Sequence, residues 1–71
     1  METDTKTFTI VFKKDRKTTY LGLRESLAYC EEYIHKNNGS DNMFYFKRFR
    51  GGIVRIMCNE TGEDYLITPV L

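Results

Sequence analysis

The stretch Asn42-Met43-Phe44-Tyr45-Phe46-Lys47-Arg48-Phe49-Arg50-Gly51-Gly52-Ile53-Val54-Arg55-Ile56-Met57-Cys58 decides the fold. Its second half, Ile53 to Cys58, alternates: Val54, Ile56 and Cys58 form one apolar side and Ile53, Arg55 and Met57 the other, the period of a strand. Asn42 to Phe49 is aromatic and also alternates, so it is expected to be the preceding strand, with Gly51-Gly52 as the tight turn between them. Turning Phe44 and Phe46 inward leaves Lys47 in water. The opposite choice would bury Lys47 between Tyr45 and Phe49, and an unpaired buried ammonium costs several kcal/mol.

Toward the C-terminus, Asn59 to Glu63 supplies a second turn with Gly62 at the position that needs positive φ. A last strand, Asp64 to Thr68, is closed by Pro69, and the turn places Leu66 across from Ile56. Toward the N-terminus, Leu23, Leu27, Cys30 and Ile34 recur at helical spacing within an arc of roughly 60°. Gly22 is the expected N-cap, Glu25 falls at the third helical position, and Asn38 or Gly39 ends the helix in a left-handed conformation. Before it, Phe8, Ile10 and Phe12 alternate with Thr9 and Val11. The polar turn Lys14 to Lys17 then sets Phe12 opposite Thr19 and Ile10 opposite Leu21.

The order is therefore ββαβββ, an α+β fold in which one helix packs on one face of an antiparallel sheet. Residues 1–71 form a single domain, with 1–5 a disordered N-terminal tail. The expected core is Phe8, Ile10, Phe12, Leu21, Leu23, Leu27, Cys30, Ile34, Phe44, Phe46, Val54, Ile56, Cys58 and Leu66. A chain of 71 residues that is 41% hydrophobic and 30% charged is near the lower size limit for such a domain. Disulfides, metals or association with another chain are the usual supports.

The cysteines offer no support of that kind. Cys30 and Cys58 lie in apolar surroundings with no second ligand at metal spacing, so both are expected to be reduced core residues of a cytoplasmic protein. Met1 to Lys6 is polar and acidic and lacks the pattern of a secretory leader, and no apolar run is long enough for a membrane span. His35 is the sole histidine and sits about 140° around the helix from Cys30, so the two cannot act as base and nucleophile. Glu31 and Glu32 diverge by roughly 100° and suit a solvated helix face. No catalytic residue, cofactor, metal site or small-molecule substrate is indicated, and a non-enzymatic protein is expected.

The same register leaves an apolar surplus on the face that the helix does not cover: Val11, Tyr20, Tyr45, Phe49, Ile53, Met57, Tyr65 and Ile67. Such a patch exceeds what monomers usually expose. Tyr20, Tyr45, Phe49, Ile53, Met57, Tyr65 and Ile67 are the expected partner interface, for a homodimer or another protein whose activity the module modulates. Tyr29 and Tyr33, one helical turn apart, form a second candidate flank.

A nucleic-acid alternative uses the aromatics as a stacking platform and Lys47, Arg48, Arg50 and Arg55 as phosphate contacts. Arg50-Gly51-Gly52 fits such a use in composition, although a hairpin turn explains it as well. The net charge of +1 argues against a general polyanion binder, but charge is concentrated: residues 6–24 carry +5 and residues 47–55 carry +4. One composite basic surface requires Lys13 to Lys17 and Lys47 to Arg55 to meet in space.

Overall fold

A computed structural model describes residues 6–42 and 44–71, so the expected tail at 1–5 lies outside the described residues. The elements are β1 (Phe8–Lys14), β2 (Lys17–Tyr20), α1 (Leu27–Asn37), α2 (Phe44–Arg48), β3 (Ile53–Cys58) and β4 (Asp64–Pro69). The strands form one antiparallel sheet in the order β2-β1-β3-β4, and both helices pack on the same face. This is a small α+β architecture with a one-sided helical layer, as the patterning predicts.

β1 and β3 are the two inner strands, and β1 is buried on both faces from Phe8 to Phe12. Phe8, Ile10 and Phe12 enter the helix-side core while Thr9 and Val11 point to the other face. Phe12 pairs with Thr19, and the Leu21 amide donates to the Ile10 carbonyl at 2.9 Å, both in the expected register. The turn between Lys14 and Lys17 contains only Asp15 and Arg16, with φ of 52° and 67°, the left-handed pair that matches the twist of a two-residue hairpin. Across the sheet, Ile56 faces Leu66 as predicted.

Two local expectations are corrected. The first concerns the start of α1. Gly22 does not cap it, Glu25 is not helical, and Ser26 is the N-cap, its Oγ accepting from the Tyr29 amide at 3.1 Å. Glycine has no side-chain acceptor for the orphan amides of a first turn, and serine does. Residues 21–25 instead continue along the edge of β1. Phe8 and Glu25 exchange backbone hydrogen bonds of 2.8 and 3.2 Å, and the Leu23 amide donates to Thr9 Oγ1 at 2.8 Å. These bonds satisfy backbone groups that an earlier helix would leave exposed on that edge. At the other end Gly39, with φ of 91°, takes the left-handed position.

The second correction is the expected strand Asn42–Phe49, in which residues 44–48 are a short helix, giving ββααββ. β3 already pairs with β1 on one side and β4 on the other, so no strand edge next to it is free. A helical turn also brings Phe46 and Phe49 to one side, where both are buried against Phe12 with ring centroids at 5.0 and 4.8 Å. Phe44, expected in the core, is 64% exposed. Lys47 is in water as predicted. Of the other expected core residues, Leu21, Leu23, Leu27 and Leu66 are partly buried against the cluster and the rest are fully buried, joined by Phe49 and Val70.

Cys30 and Cys58 are both buried free thiols. Burial pushes the Cys30 thiol from 9.0 up to about 11, and the Glu25 carboxylate adds in the same direction. A raised folded value means that the protonated thiol is favoured by folding, so stability present below pH 9 is lost as pH rises toward 11. Urea midpoints are expected to fall across that window, and a Cys30→Ala variant is expected to flatten the decline. Native Cys30 is also expected to resist alkylation by iodoacetamide until the chain unfolds.

Candidate interaction face

The sheet face away from the helices is built from three cross-strand rows. The central row is Tyr20, Val11, Arg55 and Ile67, each paired with the next. On one side lie Thr9, Met57 and Asp64, and on the other Thr18, Lys13, Ile53 and Pro69. No helix covers these rows. Tyr20 (56%), Ile53 (43%) and Ile67 (62%) remain exposed, and Met57 is half-buried.

Val11, expected on the open surface, is fully buried between Tyr20 and Arg55 in the central row. Thr9 is equally enclosed, with its hydroxyl accepting from Leu23. The middle of this face is therefore filled by its own side chains, and the exposed apolar groups stand around that filled centre.

Of the seven predicted interface residues, Tyr20, Ile53, Met57 and Ile67 lie on this face and three do not. Tyr45 and Phe49 belong to α2 and its following turn, on the helix side, where both rings lie parallel to Phe12 at 6.3 and 4.8 Å. Phe49 is buried there. Tyr65 is displaced by a β-bulge at Ile56/Met57, which puts Asp64 rather than Tyr65 opposite Met57. Its ring stands edge-on to Phe8 at 5.2 Å. The second flank is real as a pair: the Tyr29 and Tyr33 rings are 6.3 Å apart, with Tyr33 leaning on the core near Phe46.

The four predicted phosphate contacts are also separated. Lys47 and Arg48 end α2, with the Arg48 guanidinium 5.2 Å from the Phe44 ring centroid. Arg50 is ion-paired to Asp41. Arg55 lies on the opposite side of the sheet and is ion-paired to Asp64, both contacts being 3.4 Å. The geometry of that pair is incomplete: Arg55 Nε is buried and has no aligned hydrogen-bond acceptor among the described residues. The charge of Arg55 is balanced while one of its donors is unsatisfied.

On the helix side, α1 leaves part of β4 uncovered. A shallow groove there is floored by Ile34, Leu66 and Leu71 and edged by Glu31, Glu32 and His35. Among the described residues, no three His, Cys, Asp or Glu side chains come together, and no helix is long and apolar enough to cross a membrane. Sequence reasoning singled out Lys13 to Lys17 as basic but did not place Lys14 and Lys17 beside Arg48, where the fold puts them. The signal was the strand period itself, since residues two apart from Phe12 and Thr19 share their face. Comparison with protein-family models, with curated proteins and with solved structures returns no match.

Proposed function

We propose that this is a non-catalytic interaction module of the cytoplasm whose open sheet face binds a second copy of the chain. The supporting observation is the face formed by Tyr20, Ile53, Met57 and Ile67 around the Arg55–Asp64 pair. Tyr20, Ile53 and Ile67 are large apolar side chains exposed together on this one face, and gathered exposed apolar groups mark interaction sites. The charges favour self-association. A two-fold apposition of a surface carrying Arg55 and Asp64 side by side brings each cation to the other copy's anion.

Face-to-face association also suits the edges. β2 is four residues long and polar, and β4 carries a bulge and ends in Pro69, features that discourage edge-to-edge pairing. The same face is a poor phosphate platform because Asp64 neutralises Arg55, leaving Lys13 as its one uncompensated cation among the described residues. Two buried reduced thiols fit a reducing compartment.

Sedimentation equilibrium at tens of micromolar is expected to show a reversible dimer. Ile67→Lys, at a residue 62% exposed in the protomer, is expected to weaken that dimer by roughly 30-fold, as for a central interface residue, with an unchanged circular-dichroism spectrum. A protein that stays monomeric to hundreds of micromolar would overturn the proposal.

A further inference from the structure

The two basic stretches meet on the helix side of the molecule, at the end opposite the acidic turn of Glu60 and Glu63. Lys14 and Lys17 are direct cross-strand partners and share the face of Phe12 and Thr19. α2 delivers Arg48 and Phe49 to the same place. Together with Asp15 and Thr19 they line a depression of about 280 Å³. Phe49 and Thr19 contribute its uncharged walls, three cations stand around it, and Asp15 is the one anion.

Among the described residues, the cations of this depression are not engaged by a carboxylate, in contrast to three basic groups elsewhere in the molecule. Lys36, Arg50 and Arg55 each have a carboxylate within ion-pair distance. Lys14, Lys17 and Arg48 have none among the described residues. Lys14 opposite Lys17 is a like-charge pair that costs stability across a ladder, and it flanks a turn in which two non-glycine residues hold positive φ. An anion seated between these ammonium groups would relieve the repulsion. Aromatic surface adjoins the site: Phe44 is 64% exposed beneath the Arg48 guanidinium, and the Tyr45 ring lies 6.0 Å from that of Phe44.

We propose that this depression binds the backbone of a single-stranded nucleic acid, with Lys14, Lys17 and Arg48 on successive phosphates and Phe44 and Tyr45 offering a stacking surface to unpaired bases. Three long cationic side chains around an open depression suit a chain carrying several phosphates better than one enclosed phosphate ion. Exposed aromatic faces beside them suit unpaired bases, whose faces a duplex would hide. The site is independent of the sheet face on the other side of the molecule, so it stands or falls separately from the dimer.

The test is fluorescence anisotropy of a labelled oligothymidine with the full chain at low and fourfold higher salt. Three phosphate contacts on a single strand predict a log–log salt slope of about −2, hence binding weakened about 20-fold over that range. Lys17→Ala with Arg48→Ala is expected to reduce the slope to about −0.7, one contact's worth, and Phe44→Ala to weaken binding roughly tenfold at unchanged slope. All three residues tolerate truncation by position, and unchanged circular dichroism confirms that each variant folds. Ile67→Lys is expected to leave the binding intact. No binding at low salt, binding indifferent to these variants, equal affinity for duplex, or binding to anionic vesicles alone would each overturn the proposal.

Discussion

Phe12→Ala is expected to abolish cooperative folding at 25 °C. Phe12 is fully buried and is the ring on which α2 docks: Phe46 meets it edge-on at 5.0 Å, and Phe49 and Tyr45 lie parallel to it at 4.8 and 6.3 Å. It also sits between Thr19 and Val54 on the central strand. Truncation removes the transfer free energy of the ring and leaves a cavity lined by the rings of Tyr45, Phe46 and Phe49, which lose the surface they dock on, at a cost of about 3–5 kcal/mol. A core of this size nets roughly 3–5 kcal/mol in total. Urea titration followed by far-ultraviolet circular dichroism should then show a non-cooperative or largely unfolded chain. Phe44→Ala is the matched control, expected within about 0.5 kcal/mol of the parent because Phe44 projects into water. A large loss from Phe44→Ala and a small one from Phe12→Ala would contradict the placement of α2.

Gly52→Ala is expected to be the most damaging single-methyl change in the chain. A Cβ at this position would lie 2.5 Å from the Lys13 carbonyl oxygen, 2.9 Å from Lys14 Cβ and 3.1 Å from the Phe49 carbonyl oxygen. Two of those three are backbone atoms of β1 and of the turn after α2. Relief by local movement is blocked, because the Gly52 amide donates to the Phe49 carbonyl at 2.9 Å and its own carbonyl accepts from Val70 at 3.0 Å. Overpacking of this kind costs about 1–3 kcal/mol, and the upper end is expected where backbone meets backbone. Gly51 makes the informative contrast. It holds φ of 88° with open space around its missing Cβ, so Gly51→Ala costs only the conformational penalty, about 1 kcal/mol. Thermal midpoints should therefore rank parent, then Gly51→Ala, then Gly52→Ala. The reverse order would show that β1 does not press on this turn.

The closeness at Gly52 also accounts for the basic depression, because it is where the first hairpin and the turn after α2 touch. The strand period puts Lys14 and Lys17 on one face, but nothing local in Lys47 to Arg50 announces that Arg48 joins them. The expected face held in part for a related reason. Tyr20, Ile53, Met57 and Ile67 were placed by strand alternation and lie where alternation puts them. Tyr65 was misplaced by a bulge, which breaks the period by one residue and leaves no mark in the sequence that a plain turn would not also leave. Tyr45 and Phe49 are misplaced because the six residues Phe44 to Phe49 satisfy two periods at once: Phe44 and Phe46 fit a strand, while Phe46 and Phe49 fit a helical turn.

By itself the sequence determined the α+β class, the first hairpin and its register, the inward side of β3, the pairing of Ile56 with Leu66, and a helix whose stripe includes Leu27, Cys30 and Ile34. Each rests on interactions between near neighbours, where side-chain period and turn chemistry leave one favourable arrangement. Tertiary structure alone decided that β1 lies between β2 and β3, and so left no edge for Asn42–Phe49 to pair with. Deprived of strand partners, residues 44–48 satisfied their backbone internally as a helix and gave Phe46 and Phe49 to the core. That one non-local choice sent two predicted interface aromatics to the opposite face and carried Arg48 to Lys14 and Lys17.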